Sequence, residues 1–553
     1  MYSLQPESRS ASPARSLSRG QACVACRQRK IKCDGQRPIC GQCTKARRPQ
    51  ECHFEGVTRS RVQVLEESIQ ALEARIKELE EEGDNAGPSS VLLHAPHPPS
   101  STSASSSPHS PVRYLGQQPV SSEVSSILRN VFFQNRSALP WFLHEGRIHQ
   151  AFQLPIDDVG RPIAVLDTAM LLWGSVFYAR TSQVPPPQEV EPQLLLSRAQ
   201  SEVGRALVDA SAQHIIQAIQ AHALLAVYFC DTCLYIESRA HVDAAAALAT
   251  RVGLHKIRGT PGRVPYGVFM DPVTTVLPEP LDAVEEGERI NAFWTSFCLD
   301  RIYAVVLGVP PLIIDAEDAD MQVDTPWPLD MTLYEQGHMP LTLQTSGTLR
   351  NFFGGVRSGW PWEAGMLSQL SRASALFECA TRIAASWRPD LSNPTAYYAR
   401  SLALDKRLDE FSAQLPALTP GIAVQLYLAH NLAHAGKIQL HSVFAQQNPD
   451  SRAKCLAAAR AIASVAITAD AQTFVFIDPA LGSIWAAACR VLIHEVVAVR
   501  NNLLAPPVAG MNAEVALTAD LDGLLAFMAA LSATSESMNF QYSRIQQERL
   551  LLG

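Results

Sequence analysis

Cys23-Val24-Ala25-Cys26-Arg27-Gln28-Arg29-Lys30-Ile31-Lys32-Cys33, followed by Cys40-Gly41-Gln42-Cys43 and then by Cys52, is the stretch on which the rest of this chain depends. The six cysteines stand as C-x2-C-x6-C-x6-C-x2-C-x8-C in a segment that is otherwise basic and short of apolar residues. A segment this small cannot fold by burying hydrocarbon, because below about 40 residues disulfides or metal ions are usually needed. Residues 1–20 are rich in Ser, Arg and Pro and contain no apolar h-region, so no secretory signal is expected. In a reducing compartment the cysteines stay available as thiolates for metal. Two C-x2-C pairs about a dozen residues apart have zinc-site spacing. One zinc would leave Cys33 and Cys52 without a role. Two zincs need eight bonds from six sulfurs, which requires two bridging thiolates. The stretch is a pseudo-repeat, Cys23-x2-Cys26-x6-Cys33 and then Cys40-x2-Cys43-x8-Cys52, and a near-twofold arrangement would bridge through the leading cysteine of each half.

This pattern resembles the binuclear zinc cluster of fungal transcription factors. All six cysteines match, as do the basic run Arg27 to Lys32, Asp34-Gly35 and the loop proline Pro38. The resemblance implies two zinc ions per chain: Cys23 and Cys40 bridge, Cys26 and Cys33 complete one site, and Cys43 and Cys52 complete the other. It also implies that Lys30, with helix-end carbonyls, reads the major-groove edge of a CGG triplet, where guanine O6 and N7 are acceptors. Arg27, Arg29, Lys32, Lys45, Arg47 and Arg48 are then expected at phosphates, which set position without reading sequence. Each C-x2-C should open a short helix, with Arg27 to Lys32 on the first.

Outside this stretch, composition separates the chain into segments. The net charge of −7 conceals an asymmetry. Residues 20–61 carry ten Lys and Arg against three acids, and residues 1–19 carry three Arg against one Glu, which leaves −16 on the remainder. A compact basic module ahead of an acidic body implies a polyanionic partner at the N-terminal module alone, and the resemblance implies that this partner is double-stranded DNA. No uninterrupted apolar run reaches about 18 residues; the nearest, Ile484 to Val499, is broken by Arg490, His494 and Glu495, so no membrane span is expected.

Residues 1–19 read as a disordered tail and 20–56 as the zinc module. In 57–82, Val62, Leu65, Ile69, Leu72, Ile76 and Leu79 alternate at spacings of three and four. With β-branched residues at a and leucine at d, this pattern predicts a short parallel two-stranded coiled coil and a homodimer. Residues 83–122 are a Ser/Pro-rich linker that cannot bury a core. From 123 to 553 the chain turns alanine- and leucine-rich with helical periodicity, which predicts an all-α body. Expected helices include Ile163–Ala179, Ala221–His255, Glu288–Gly308 and Ser483–Arg500. Phe293 to Arg301, Leu307 to Pro310 and Ala246 to His255 are similar to the middle homology region of the same fungal factors, which is regulatory in that family.

Enzyme motifs do not survive inspection. His494-Glu495 lacks the second histidine of a zinc-protease helix, because position 498 is alanine, and His430 to His434 has Asn431 where the catalytic glutamate belongs. Cys230 and Cys233 have no second pair nearby and read as core, and Asp315 to Asp324 reads as a solvated acidic turn. The expectation is a nuclear, non-enzymatic, DNA-binding regulator with access to transcription co-regulators. The alternatives are a chromatin-associated scaffold, or a metabolite-responsive receptor with its ligand in the helical body.

Overall fold

The computed structural model describes residues 22–53, 120–155, 158–182, 190–207, 211–259, 277–316, 321–356, 365–419, 424–501 and 510–552. The predicted tail, the coiled-coil positions Val62, Leu65, Ile69, Leu72, Ile76 and Leu79, and the linker up to residue 119 lie outside them. The chain divides into two units, 1–111 and 112–553, and the described residues contain helices and turns but no strand.

In the first unit, α1 (Val24–Gln28) and α2 (Gly41–Lys45) are single turns. They lie against each other around a core made of the six cysteines and Ala25.

In the second unit the first described helix is α3 (Ser122–Asn135), capped by the Ser121 side chain. Then follow α4 (Glu145–Phe152), α5 (Ala164–Thr181), α6 (Pro192–Val203), α7 (Ala212–Asp231), α8 (Tyr235–Arg251) and α9 (Ala283–Leu307). Two short helices, α10 (Met331–Glu335) and α11 (Thr348–Phe353), lead to α12 (Met366–Ala385), α13 (Pro394–Gln414), α14 (Val424–Ser442), α15 (Pro449–Ile467), α16 (Ala480–Arg500), α17 (Gly510–Ser532) and α18 (Glu536–Leu552). Neighbours in sequence are mostly neighbours in space: α7 packs on α8, α8 on α9, α14 on α15, α15 on α16 and α16 on α17. The longer-range seams are α9 on α12 and α12 on α14. The close approach of α3 to α5 is permitted by Gly174, where a Cβ would fall 2.3 Å from the Leu128 carbonyl oxygen.

Helix α9 sits at the centre, touching α7, α8, α10, α12 and α16. Within the expected helix Glu288–Gly308, the apolar residues Ile290, Phe293, Trp294 and Phe297 are buried, but so is every residue from Glu286 to Ala304. Two of its buried charged residues, Asp300 and Arg301, are paired inside. Asp300, fully buried, accepts hydrogen bonds from the amides of Leu312 and Ile313 (both 2.9 Å) and from the Arg239 guanidinium (2.7 Å). Arg301 donates to the Ile313 carbonyl (2.7 Å) and to Glu378 (3.1 Å). The pair ties down the chain that leaves the helix through Gly308, a left-handed cap at φ 69° ahead of Pro310-Pro311.

Two further expectations are corrected. The run Ala221–His255 is two helices, because Thr232 to Leu234 turn the chain: Cys233 takes φ 59° and the Leu234 amide closes back on the Phe229 carbonyl at 2.8 Å. No glycine or proline marks that turn. The acidic stretch is not simply solvated, since Asp324 is buried and accepts from Lys256 (3.1 Å) and the Gly347 amide (2.8 Å), while Asp315 accepts from the Val323 amide.

By length and composition α16 and residues Ala513–Ser532 of α17 would suffice to cross a bilayer, which the sequence did not lead us to expect. Trp485, Cys489 and Leu492 of α16 and Leu524 and Met528 of α17 are fully buried inside the bundle, whereas Val515 near the start of α17 is exposed.

Candidate metal centre and nucleic-acid interface

All six N-terminal cysteines are buried and converge on one point. Their sulfurs form two quartets, Cys23, Cys26, Cys33 and Cys40, and Cys23, Cys40, Cys43 and Cys52, with the donor atoms of each within 4.8 Å of one another. Cys23 and Cys40 belong to both quartets. The Sγ atoms of Cys23 and Cys40 are 3.7 Å apart, those of Cys23 and Cys43 3.8 Å, and those of Cys26 and Cys40 3.6 Å. A tetrahedron of sulfurs about 2.3 Å from a central zinc has edges of about 3.8 Å, so the spacing fits zinc and is far too long for disulfides. Burial pushes the Cys43 thiol up to about 12 and Cys26 higher. Burial also acts on Cys40, but the Cys43 amide, 3.4 Å from its sulfur, leads the groups that hold it below its ordinary value. Thiols so crowded and desolvated ionise together only around cations, which is the donor chemistry of a binuclear zinc cluster.

The two halves repeat with an offset of 17 residues. Cys23 and Cys40 are the N-caps of α1 and α2, and each accepts through sulfur from the amide three residues on. Both helices then close in the same way. Lys30 and Arg47, each at φ 54°, donate to the carbonyls of Arg27 and Thr44, and Ile31 and Arg48 donate to those of Cys26 and Cys43. This is the Schellman closure, whose left-handed position glycine usually fills. Sequence reasoning found the cysteine repeat but not this one, whose only signal was that Lys30 and Arg47 both lie seven residues after a leading cysteine.

The halves are joined by Asp34, which accepts from the Gly41 amide at 2.9 and 3.0 Å, and by the Val24 amide donating to the His53 carbonyl at 2.9 Å. Glycine at 41 leaves room for this contact, since a Cβ there would lie 2.3 Å from Asp34 Oδ2 and would displace the carboxylate.

Helix α1 ends at Gln28, so the expected helix over Arg27 to Lys32 is corrected: Arg29 caps the helix and Lys30, Ile31 and Lys32 lie beyond it. The Schellman closure stops the helix four residues early. Lys30, Lys32, Lys45, Arg47 and Arg48 are exposed on the module. Arg27 donates to the Ala22 carbonyl at 3.4 Å. Arg29 is ion-paired with Glu51, which also takes Arg48 at 3.3 Å, an engagement the sequence did not suggest.

Comparison with known proteins agrees with this geometry. Residues 21–61 match the family model for the fungal Zn(2)-Cys(6) binuclear cluster domain, and 130–342 match that for the fungal specific transcription factor domain. The second match runs from α3 past α10. Among similar proteins, the transcription regulator galc of Aspergillus niger is 43% identical over 68 residues, 12% of this chain and 8% of that one. The transcriptional activator protein acu-15 of Neurospora crassa is 41% identical over 63 residues, 11% of this chain and 7% of its own. The matched stretches thus cover less than a tenth of either relative. No solved structure matches the chain. Both families are transcription regulators rather than enzymes, and the cluster domain binds two zinc ions.

Proposed function

Because this chain is a fungal transcription factor of the Zn(2)-Cys(6) type, we propose that it acts in the nucleus as a homodimer on paired CGG-type triplets. Cys23 and Cys40 bridge two zincs, Cys26 and Cys33 complete one, and Cys43 and Cys52 the other. Lys30 reads the triplet, and Arg27, Lys32, Lys45, Arg47 and Arg48 hold the phosphates. Arg29 joins them once DNA competes for it with Glu51.

One observation supports the reading most: Lys30 is a charged residue in the left-handed position that ends α1. A non-glycine residue there is strained by about 1 to 3 kcal/mol, and such strain concentrates at functional sites. Lys30 is exposed and follows directly on the C-terminal end of α1, so a lysine and the last carbonyls of a helix fall in one short stretch of chain. Guanine offers two acceptors in the major groove and cytosine one donor, and that stretch complements both.

The pairing of half-sites rests on the heptads of 57–82, and the domain plan on the boundaries 1–19, 20–56, 57–82, 83–122 and 123–553. Selection of bound DNA from random sequence with the purified zinc-loaded chain tests the proposal. Enrichment of two CGG triplets at a constant spacing is the expected result. A single unpaired triplet would remove the dimer, and no enriched sequence at all would favour a chromatin-associated scaffold.

A further inference from the structure

In the helical body, a groove of about 620 Å³ lies between α8, the end of α9, the start of α16 and α18. That volume is in the range of small-molecule sites. Its wall carries Ile236, 83% exposed, Phe540, 49% exposed, and Val309, 38% exposed. Single exposed apolar side chains are ordinary, but three facing one concavity make a patch of the kind that a ligand covers.

The polar groups of the groove indicate the ligand's headgroup. Arg239 is shared by Asp300 at 2.7 Å and Asp243 at 2.6 Å, so that part of the lining offers an anion no free cation and keeps a net negative charge. Arg544 is different: it is 59% exposed and lies 3.4 Å from Glu548, whose two oxygens are already held by Arg490 at 2.8 and 3.0 Å. The spare positive charge at the groove is therefore the Arg544 guanidinium on the rim, next to an apolar wall. One guanidinium suits one carboxylate, which it can bind through two parallel hydrogen bonds, and it is too little charge for a nucleotide or polyphosphate.

We propose that this groove binds a small amphipathic carboxylic acid, with its hydrocarbon or aromatic part on Ile236, Val309 and Phe540 and its carboxylate on Arg544. The site belongs to the body alone and does not depend on how the zinc module reads DNA. It also gives a physical form to the metabolite-responsive reading of the chain. Ligand contact at Val309 falls on the segment that Asp300 and Arg301 fasten to α9, so occupancy would stiffen the centre of the bundle.

The test is calorimetric titration and thermal unfolding of the full zinc-loaded chain with decanoate and with 4-phenylbutanoate, which share the headgroup and differ in body, and with decanol. At least one of the two acids should bind saturably at one per chain and raise the unfolding temperature. Decanol should bind about tenfold more weakly than decanoate. Arg544→Gln should remove most of that difference, and Ile236→Glu should abolish binding of the acids. Both positions are exposed, so each variant should keep the wild-type unfolding temperature without ligand. Failure of both acids to bind, equal affinity for decanol, or binding indifferent to both substitutions would overturn the assignment.

Discussion

Lys30 occupies a backbone position that glycine fills without strain, and this makes its contribution separable from that of the fold. Lys30→Gly should stabilise the module by about 1 kcal/mol while losing about 1 to 3 kcal/mol of discrimination for CGG over other triplets. Competition binding and thermal unfolding together would show the two effects moving in opposite directions, and a variant that lost both would make Lys30 a structural residue only. Cys40→Ser removes a sulfur that belongs to both quartets. Since metal binding supplies the module's folding free energy, both zincs should be lost together; a metal content of one zinc per chain would mean that Cys40 serves a single ion. At this scale the sequence was highly legible, because six cysteines are recognised by spacing whatever the backbone between them does. It was silent on Glu51, whose hold on Arg29 depends on where the chain turns after α2.

Between single elements, the heptads of 57–82 and the α7–α8 hairpin make separate predictions. Leu72→Pro removes a backbone donor and inserts a ring clash in the predicted coil, so the chain should sediment as a monomer. A persistent dimer would move the interface to the body. In the hairpin, His222 of α7 and His241 of α8 meet Nδ1 to Nδ1 at 2.9 Å. Burial, helped by the charge of its partner, takes His222 down to about 3, and burial takes His241 down to about 4. Both are neutral in the folded body, whereas the unfolded chain takes up protons below about pH 6.5. The stability this contributes is intact above about pH 6.5 and falls as the medium is acidified toward pH 4, by about 2 kcal/mol per histidine at pH 5. Denaturant unfolding at pH 7 and pH 5 should therefore show a steeper loss in the wild type than in His222→Gln. Equal losses would mean that the pair is already protonated when folded. Helix existence was readable along this region from apolar periodicity; the turn at Cys233 was not, since it is made by a hydrogen bond from Leu234 to Phe229 and not by a residue type.

For the whole molecule, two units held by different forces should come apart in different ways. A chelator should abolish zinc content and DNA binding yet leave the thermal unfolding of the body unchanged, because that body is held by apolar packing around α9. A body transition that moved with chelation would show the units to be coupled. DNA affinity should fall steeply with salt, since phosphate neutralisation by the basic module supplies most of it. By itself the sequence determined the two-part plan, the metal, the helical class and the polyanionic partner, for each of these rests on composition, spacing or period, which survive without coordinates. Tertiary structure alone decided that α9 is buried on every side, that Asp300 and Arg301 fasten the chain after it, and that Ile236, Phe540 and Arg544 share one groove. Those facts arise when residues up to some 300 positions apart are brought together, and periodicity within one helix carries no record of which other helix will cover it.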